Sequence, residues 1–506
     1  MSAVPSAAPV PEELKREFTF RSAFALAFAF ISPIIGLYTI FALALGAAGP
    51  AFWWGFAIVL GGQVLVAMVL AELSSVWPLQ GGLYKWTQRL AGRRAGWAAG
   101  WAYVWTLVVL MTAQCFAAAP FLAGLLGVEE AGTALLIGLA VVVLVLATAA
   151  NLAGPRTLKV FVAVSITAEL VGSLVIGTVL LVFFRDQPVS ILLDGAGEAA
   201  PALGPMLAAV ALIGWSFIGF ESAGDIAEEV RDPSRQVPKA LLFSLVVVAC
   251  IVMYAALALL LAIPNLGAAI AGGADDPIIA TLTAQLGAGV ATPLFALVVL
   301  AFVAGIVAVQ ASVSRVLFAL GRDGELPAAS VLSHLSGRER LPRRAIVLSA
   351  VGAGALLVVA TSENAYGTLI AMATVGFYIA FAFPVFAALR ARLLGRWEPG
   401  VWNLGRFALA VNVAAAAWLA FEIVNIAWPR LPDAPWYVNY GAILMVAIVA
   451  LAGLALRGGQ ALSGQLPLAR PPLATDATLR RVPVANAVLS RPAPTATTTA
   501  LVRDRT

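Results

Sequence analysis

Two acidic residues sit where a carboxylate is costly. Glu169 and Glu221 both fall inside long apolar stretches, and an ionisable group at membrane depth is kept for a function or for a partner. Such a carboxylate can take up and release a proton, or pair with an ammonium group. The alternative is a structural glutamate hydrogen-bonded between helices. Glu169 lies nine residues into its stretch, about 13–14 Å along a helix rising ~1.5 Å per residue, and so near the midplane. Glu221 follows Gly214-Trp215-Ser216-Phe217-Ile218-Gly219-Phe220, where two glycines weaken a helix. Asp225 comes one turn later on the same face. A second weak point is Phe30-Ile31-Ser32-Pro33-Ile34-Ile35-Gly36, because Pro33 removes a helical donor and clashes with the preceding turn. Unwound backbone at membrane depth is tolerated only where protein or a polar cavity receives its groups. The amides around Ser32, Ile35 and Gly36 would then face an anion, aided by the helix dipole. Carbonyls freed between Gly214 and Gly219 would accept from an ammonium. Gln114 adds a polar group with two readings, cavity lining or interhelical bonding.

Long apolar elements must position these groups. The chain has 506 residues, 61% of them hydrophobic and only 11% charged, against about 25% charged in a soluble domain. With a mean hydropathy of +0.96, the fold class is an all-α polytopic membrane protein. Twelve stretches approach the ~20 residues needed to cross hydrocarbon: 20–45, 52–77, 97–126, 134–152, 160–184, 203–227, 240–263, 293–320, 345–360, 366–389, 407–428 and 437–456. The ninth is short, and a weaker stretch at 278–286 belongs to a connecting loop. Call the face carrying the N-terminus side one. Side one then holds 29 of the 31 Lys and Arg residues, leaving only Arg185 and Arg430 on side two. The positive-inside rule makes side one cytoplasmic, with both termini there. Residues 1–17 lack the charge pattern of a cleavable signal. The segment 458–506, rich in Pro, Ala, Thr and Arg, is expected to be a disordered cytoplasmic tail.

Composition also narrows the chemistry. One histidine, His334, and two cysteines, Cys115 and Cys250, build neither a disulfide framework nor a metal cluster, so no metal site is expected. The net charge of +5 follows membrane topology rather than a nucleic-acid face. Gly352-Ala353-Gly354 lacks the strand–helix context of a nucleotide site, and no channel filter is visible. Paired interruptions in spans 1 and 6, at matching places in two halves, point to a transporter site. A non-transporting receptor or structural membrane protein is the rival class.

Three blocks carry a family resemblance. Residues 71–84, reading Ala71-Glu72-Leu73-Ser74-Ser75-Val76-Trp77-Pro78-Leu79-Gln80-Gly81-Gly82-Leu83-Tyr84, resemble the signature after span 2 of the amino acid–polyamine–organocation permeases. Gly219-Phe220-Glu221 through Glu228-Glu229-Val230-Arg231-Asp232-Pro233 and on to Ala240 resembles their connection between spans 6 and 7. Arg322-Asp323-Gly324-Glu325-Leu326-Pro327 resembles the stretch after span 8. The resemblance runs over about residues 18 to 456 and is strongest to the amino acid/choline transporter branch. It implies a five-plus-five inverted repeat (18–202 and 203–392) with discontinuous helices 1 and 6, then two further helices within 393–457. It also implies a secondary active permease, not an enzyme, that moves amino acids or related small amines across the cell membrane. Phe217 would cover the substrate as the aromatic gate does in relatives, with Trp215 and Tyr38 as weaker candidates. Glu169 and Glu221 are the candidate proton-coupling groups. No cofactor is implied beyond the proton gradient. Sodium is the alternative coupling ion, because Ser312 and Ser314 lie near the place where sodium-coupled relatives supply a hydroxyl. The span 1 break departs from the Gly-Ser-Gly-like run of many relatives, which keeps choline, polyamines and 4-aminobutyrate open as substrates beside amino acids, and exchange open beside symport. Partners are the solute and the lipid bilayer, as a monomer or homodimer. Glu72 is expected to reach water or a loop arginine, Glu228 and Glu229 to pair with Arg231 or Arg235, and Glu422 to serve packing or oligomer contact.

Overall fold

The computed structural model describes residues 18–128, 131–195, 202–272, 276–337, 340–358 and 365–462. Among these residues every regular element is helical. Span 1 is split into α1 (Phe20–Ile31), α2 (Pro33–Tyr38) and α3 (Phe41–Ala48). There follow α4 (Trp53–Val76), α5 (Gly82–Ala91), α6 (Arg93–Leu125), α7 (Thr133–Ala153), α8 (Pro155–Glu169) and α9 (Ile176–Phe183). Span 6 is α10 (Leu203–Ile213), a 3-10 turn at Gly214–Phe217, and the one-turn α11 (Ser222–Asp225). The rest comprises α12 (Pro233–Ala262), α13 (Leu266–Ile270), α14 (Pro277–Leu286), α15 (Ala288–Arg322), α16 (Ala329–Leu332) and α17 (Arg343–Leu356). It closes with α18 (Ala365–Leu393), α19 (Ala408–Ala427), α20 (Trp436–Asn439) and α21 (Gly441–Leu462).

Eleven helices among the described residues are long and apolar enough to cross a membrane. The stretch expected at 345–360 forms α17, which has 14 residues. That is shorter than the ~20 of a full crossing, and 359–364 lie outside the described residues. The weak stretch at 278–286, expected in a connecting loop, forms the 10-residue helix α14, which is too short to cross. Residues 458–462, expected to open the tail, are instead the helical end of α21, which runs to Leu462; 1–17 and 463–506 lie outside the described residues. Helix α5 was not anticipated. It starts where Gly81 and Gly82 take positive φ angles of 92° and 33°, conformations open to glycine without a Cβ penalty.

Burial divides the bundle into an inner and an outer set. Helix α15 runs through the centre, packing on α1, α6, α7, α8 and α17, while α12 packs on α1 and α4. Helices α7, α19 and α21 keep apolar residues such as Val145, Leu146, Val424, Leu451 and Leu454 exposed. In water those faces would be unfavourable; against lipid tails they cost nothing. The broken spans 1 and 6 lie inside this shell.

Candidate functional site

At the first break, Ser32 takes a φ of 50°, a left-handed value that non-glycine residues rarely adopt. Its amide still donates to Phe28 O (2.8 Å), ending α1. Its hydroxyl accepts from Ile35 N (3.1 Å) and caps α2, while Gly36 N donates to Ser32 O (2.7 Å). Pro33 at the first position of α2 has no N–H to leave unpaired. The remaining amide, Ile34 N, donates to Glu169 Oε2 at 2.7 Å, and the Ser32 hydroxyl donates to Glu169 Oε1. Glu169 is fully buried. A carboxylate of the protein's own thus occupies the positive end of the half-helix α2. No first-turn amide of α2 is left for another anion in this conformation.

Span 5 is shaped to deliver that carboxylate. Immediately after Glu169 the helix widens into a π segment, Leu170–Val175, a local insertion frequent at functional sites. Within it Gly172 lets Ile34 approach: a Cβ there would stand 2.9 Å from Ile34 Cδ1. On the other flank Gly305 of α15 does the same for Ile35, since a Cβ would stand 2.3 Å from Ile35 Cδ1. Small residues are how membrane helices bring backbones close.

The second break lies against the first. Ser216 Oγ donates to Gly36 O (2.5 Å), and Trp215 Nε1 donates to Ile35 O (3.4 Å). A Cβ on Gly36 would meet Ser216 O at 3.2 Å, so the two spans touch there through backbone. Span 6 then leaves the helix at Ile218, and Gly219 takes a φ of 103°. Glu221 reaches back to accept from Gly219 N (3.0 Å). The Tyr103 hydroxyl of α6 lies 2.9 Å from both Glu221 Oε1 and Asp225 Oδ2. All three side chains are buried. Asp225 Oδ1 has no hydrogen-bond partner and rests against Gly82, where a Cβ would stand 2.8 Å away. Tyr103 escaped the sequence reading, because one tyrosine in an apolar run carries no spacing signal.

The other expected residues divide. Ser32, Ile35, Gly36, Gly214, Gly219 and Glu221 are brought together around the crossing of spans 1 and 6, and Glu169 joins them from span 5. Gln114 is buried with Oε1 unpaired. Phe217 packs on Phe56, ring centroids 6.0 Å apart, in a column with Phe52 and Phe41; Trp215, rather than Phe217, sits against the span 1 break. Tyr38 packs on Phe121 with the rings tilted and their centroids 5.9 Å apart. Ser314 donates to Ala311 O in its own helix (2.9 Å), whereas Ser312 Oγ has no partner. Glu72 pairs with Arg392, and Glu422 bonds to Asn425 (3.3 Å).

Among the described residues, contacts bridge the site on both faces. On side one, Glu229 pairs with Arg315 (2.7 Å) and Glu228 with Arg322 (3.2 Å). These partners replace the expected Arg231 and Arg235, because the segment after α11 turns toward α15 rather than back on itself. Gln80 N also donates to Glu228 (3.1 Å), Lys85 pairs with Asp323, and Phe18 and Val230 form a backbone bridge. Burial lowers the Lys85 pKa from its usual value, and the Asp323 charge opposes that shift. Toward side two, Tyr366 of α18 donates to Thr39 O (2.8 Å) and ties span 10 over the outer half of span 1.

Comparison with known proteins places this geometry. Residues 18–449 match the sequence profile of a family described as amino acid permease. An amino-acid permease 2 of Neurospora crassa is 29% identical over 276 residues, covering 53% of this chain and 49% of that one. A rice amino-acid permease BAT1 homolog (Oryza sativa subsp. japonica) is 24% identical over 83% of this chain and 86% of its own. The thiamine transporter thi9 of Schizosaccharomyces pombe is 24% identical over 87% of this chain and 82% of its own.

Proposed function

The chain belongs to the amino acid permease family of multi-pass membrane transporters, and on that premise we propose that it carries amino acids or related small amines across the cell membrane by alternating access, driven by protons. In this reading α17 supplies a twelfth crossing. Spans 1–5 and 6–10 form inverted repeats, α19 and α21 follow them, and side one is the cytoplasm. The observation that carries the proposal is Glu169 bonded to both Ser32 and Ile34 at the break of span 1.

That geometry suggests how coupling works. While Glu169 is ionised, it accepts from the Ile34 amide and from the Ser32 hydroxyl. A proton arriving on Glu169 removes its charge and converts one oxygen from acceptor to donor. Ile34 N and the positive end of α2 then become available to a substrate carboxylate. The substrate ammonium would find the carbonyls around Gly214–Gly219 and the inner acids Glu221 and Asp225. Solute and proton enter together because each makes room for the other. This favours protons over sodium at Glu169, which is tied to two donors.

A second reading is a cationic amine without a carboxylate, such as choline or a polyamine. It is favoured by the full pairing of the first-turn amides of α2. A thermal-shift screen over amino acids, 4-aminobutyrate, choline and polyamines separates the two, since a ligand stabilises only the state it binds. Labelled ligands from that screen, tested in proteoliposomes with the external side acidic, should accumulate and should show counterflow. A channel shows no exchange stimulation, and a receptor or structural protein moves nothing. Absence of both accumulation and exchange for every stabilising ligand would refute the proposal.

A further inference from the structure

A second polar cluster lies behind span 6, apart from the crossing of the two broken spans. Its centre is Glu422 of α19, fully buried in the bundle. Glu422 Oε1 accepts from Asn425 Nδ2 (3.3 Å), while Oε2 has no partner. Around it lie three more side chains with buried polar atoms. The Trp418 indole N–H of α19 has no partner, and the Gln63 amide of α4 and the Tyr378 hydroxyl of α18 face each other with no partner beyond that pair. Tyr378 faces both Gln63 and Glu422. A Cβ on Gly62 would fall into the Trp418 ring, and one on Gly214 would stand 3.1 Å from the Tyr378 hydroxyl. The cluster therefore bridges spans 2, 10 and 11 and touches the start of the span 6 break.

Leaving buried polar groups without full pairing is unfavourable, so these atoms gathered in one place point to an occupant. The set mixes donors (the indole N–H and the Gln63 amide) with acceptors (Glu422 Oε2 and Gln63 Oε1). A metal cation would be repelled by the N–H donors. Water, which both donates and accepts, satisfies them, and the carboxylate can accept a proton delivered through it.

The cluster also has an approach. Asn425 Oδ1 accepts from Arg430 (2.6 Å), and Arg430 also donates to Asn425 O (2.5 Å). Asn425 and Arg430 line a cavity of about 910 Å³ at the side-two ends of α10, α18, α19 and α21. A polar thread thus descends from side two through Arg430, Asn425 and Glu422 to Tyr378 and the broken span. The charged or titratable groups facing Glu422 are Arg430 and Tyr378. Helices α4 and α10, which also pack on α19, contribute none.

We propose that Glu422 is a second proton-binding carboxyl, reached by water from side two and set against the back of span 6. A proton from that side adds to Oε2, forming an O–H bond whose acceptor is the neighbouring phenol or amide, and it leaves by the same route. The effect on uptake rests on the transport reading above, but the protonation itself does not.

Infrared difference spectra between acid and alkaline pH, taken on the full chain in proteoliposomes, read the carboxyl directly. The wild-type protein should show a protonated-carboxyl band that Glu422→Gln removes and Glu422→Asp shifts. Uptake by Glu422→Gln should lose one limb of its dependence on external pH while Glu169-dependent accumulation persists. If Glu422→Gln does not fold, the Glu422→Asp band shift decides alone. An unchanged band in either folded variant, or an unchanged external-pH profile in a transporting Glu422→Gln protein, overturns the proposal. A band that responds to Glu422 in a protein that transports nothing would refute the permease reading instead and leave this inference standing.

Discussion

Tyr103 shows most clearly how much at the site hangs on single hydrogen bonds. Its hydroxyl stands 2.9 Å from two buried carboxylates, yet it has one proton to donate. Tyr103→Phe strips both acids of that partner, and each unpaired buried group costs about 1–3 kcal/mol. Uptake by Tyr103→Phe should fall at least tenfold with normal membrane insertion. Adding Asp225→Asn, which removes one of the two acids, should recover part of it; assays of the single and double variants in proteoliposomes decide. The acids were legible in the sequence because charge is rare in apolar runs, and Glu169 and Glu221 stood out for that reason. Their partners were not. Ile34 and Tyr103 are ordinary residues in membrane helices, and Ser32, already picked out at the break, reveals its pairing with Glu169 only once spans 3 and 5 pack against spans 1 and 6. The same limit applies to Glu228 and Glu229, whose arginines come from α15 rather than from their own loop.

At the scale of elements, the two breaks followed from Pro33 and from the paired glycines of span 6. Backbone chemistry is local and readable. The π segment after Glu169 was not readable, since Leu170–Val175 has the composition of any apolar helix and widens where Ile34 must fit beside Gly172. The close fit around span 1 gives a double-mutant test. Gly305→Ala places a methyl 2.3 Å from Ile35 Cδ1, overpacking that costs about 1–3 kcal/mol, and should lower uptake and thermal stability. Ile35→Val removes that atom, so Gly305→Ala with Ile35→Val should regain most of the stability lost, a coupling that independent sites would not show. Gly219 offers the contrast. A side chain there meets the Phe30 ring at a φ of 103°, so trimming Phe30 leaves the backbone strain in place.

For the whole molecule, the ion pairs on side one and the Tyr366–Thr39 bond toward side two describe a site bridged at both ends, a state that a carrier must pass through between its two openings. Arg315→Gln breaks the link from α15 to Glu229 and should favour opening to side one. A cysteine placed at Ser222 should then react faster with a membrane-impermeant thiol reagent applied from that side. An unchanged rate would mean that the link does not hold the site shut. Hydropathy made the bundle of long apolar helices legible, because lipid acts on each span separately. Which spans meet at the centre depends on the packed whole. The central claim is that a proton on Glu169 frees the broken span for its cargo, and the most direct measurement compares uphill uptake with exchange in Glu169→Gln proteoliposomes. The account predicts that accumulation driven by a proton gradient is lost while counterflow of the same solute persists; normal proton-driven accumulation by that variant would contradict it.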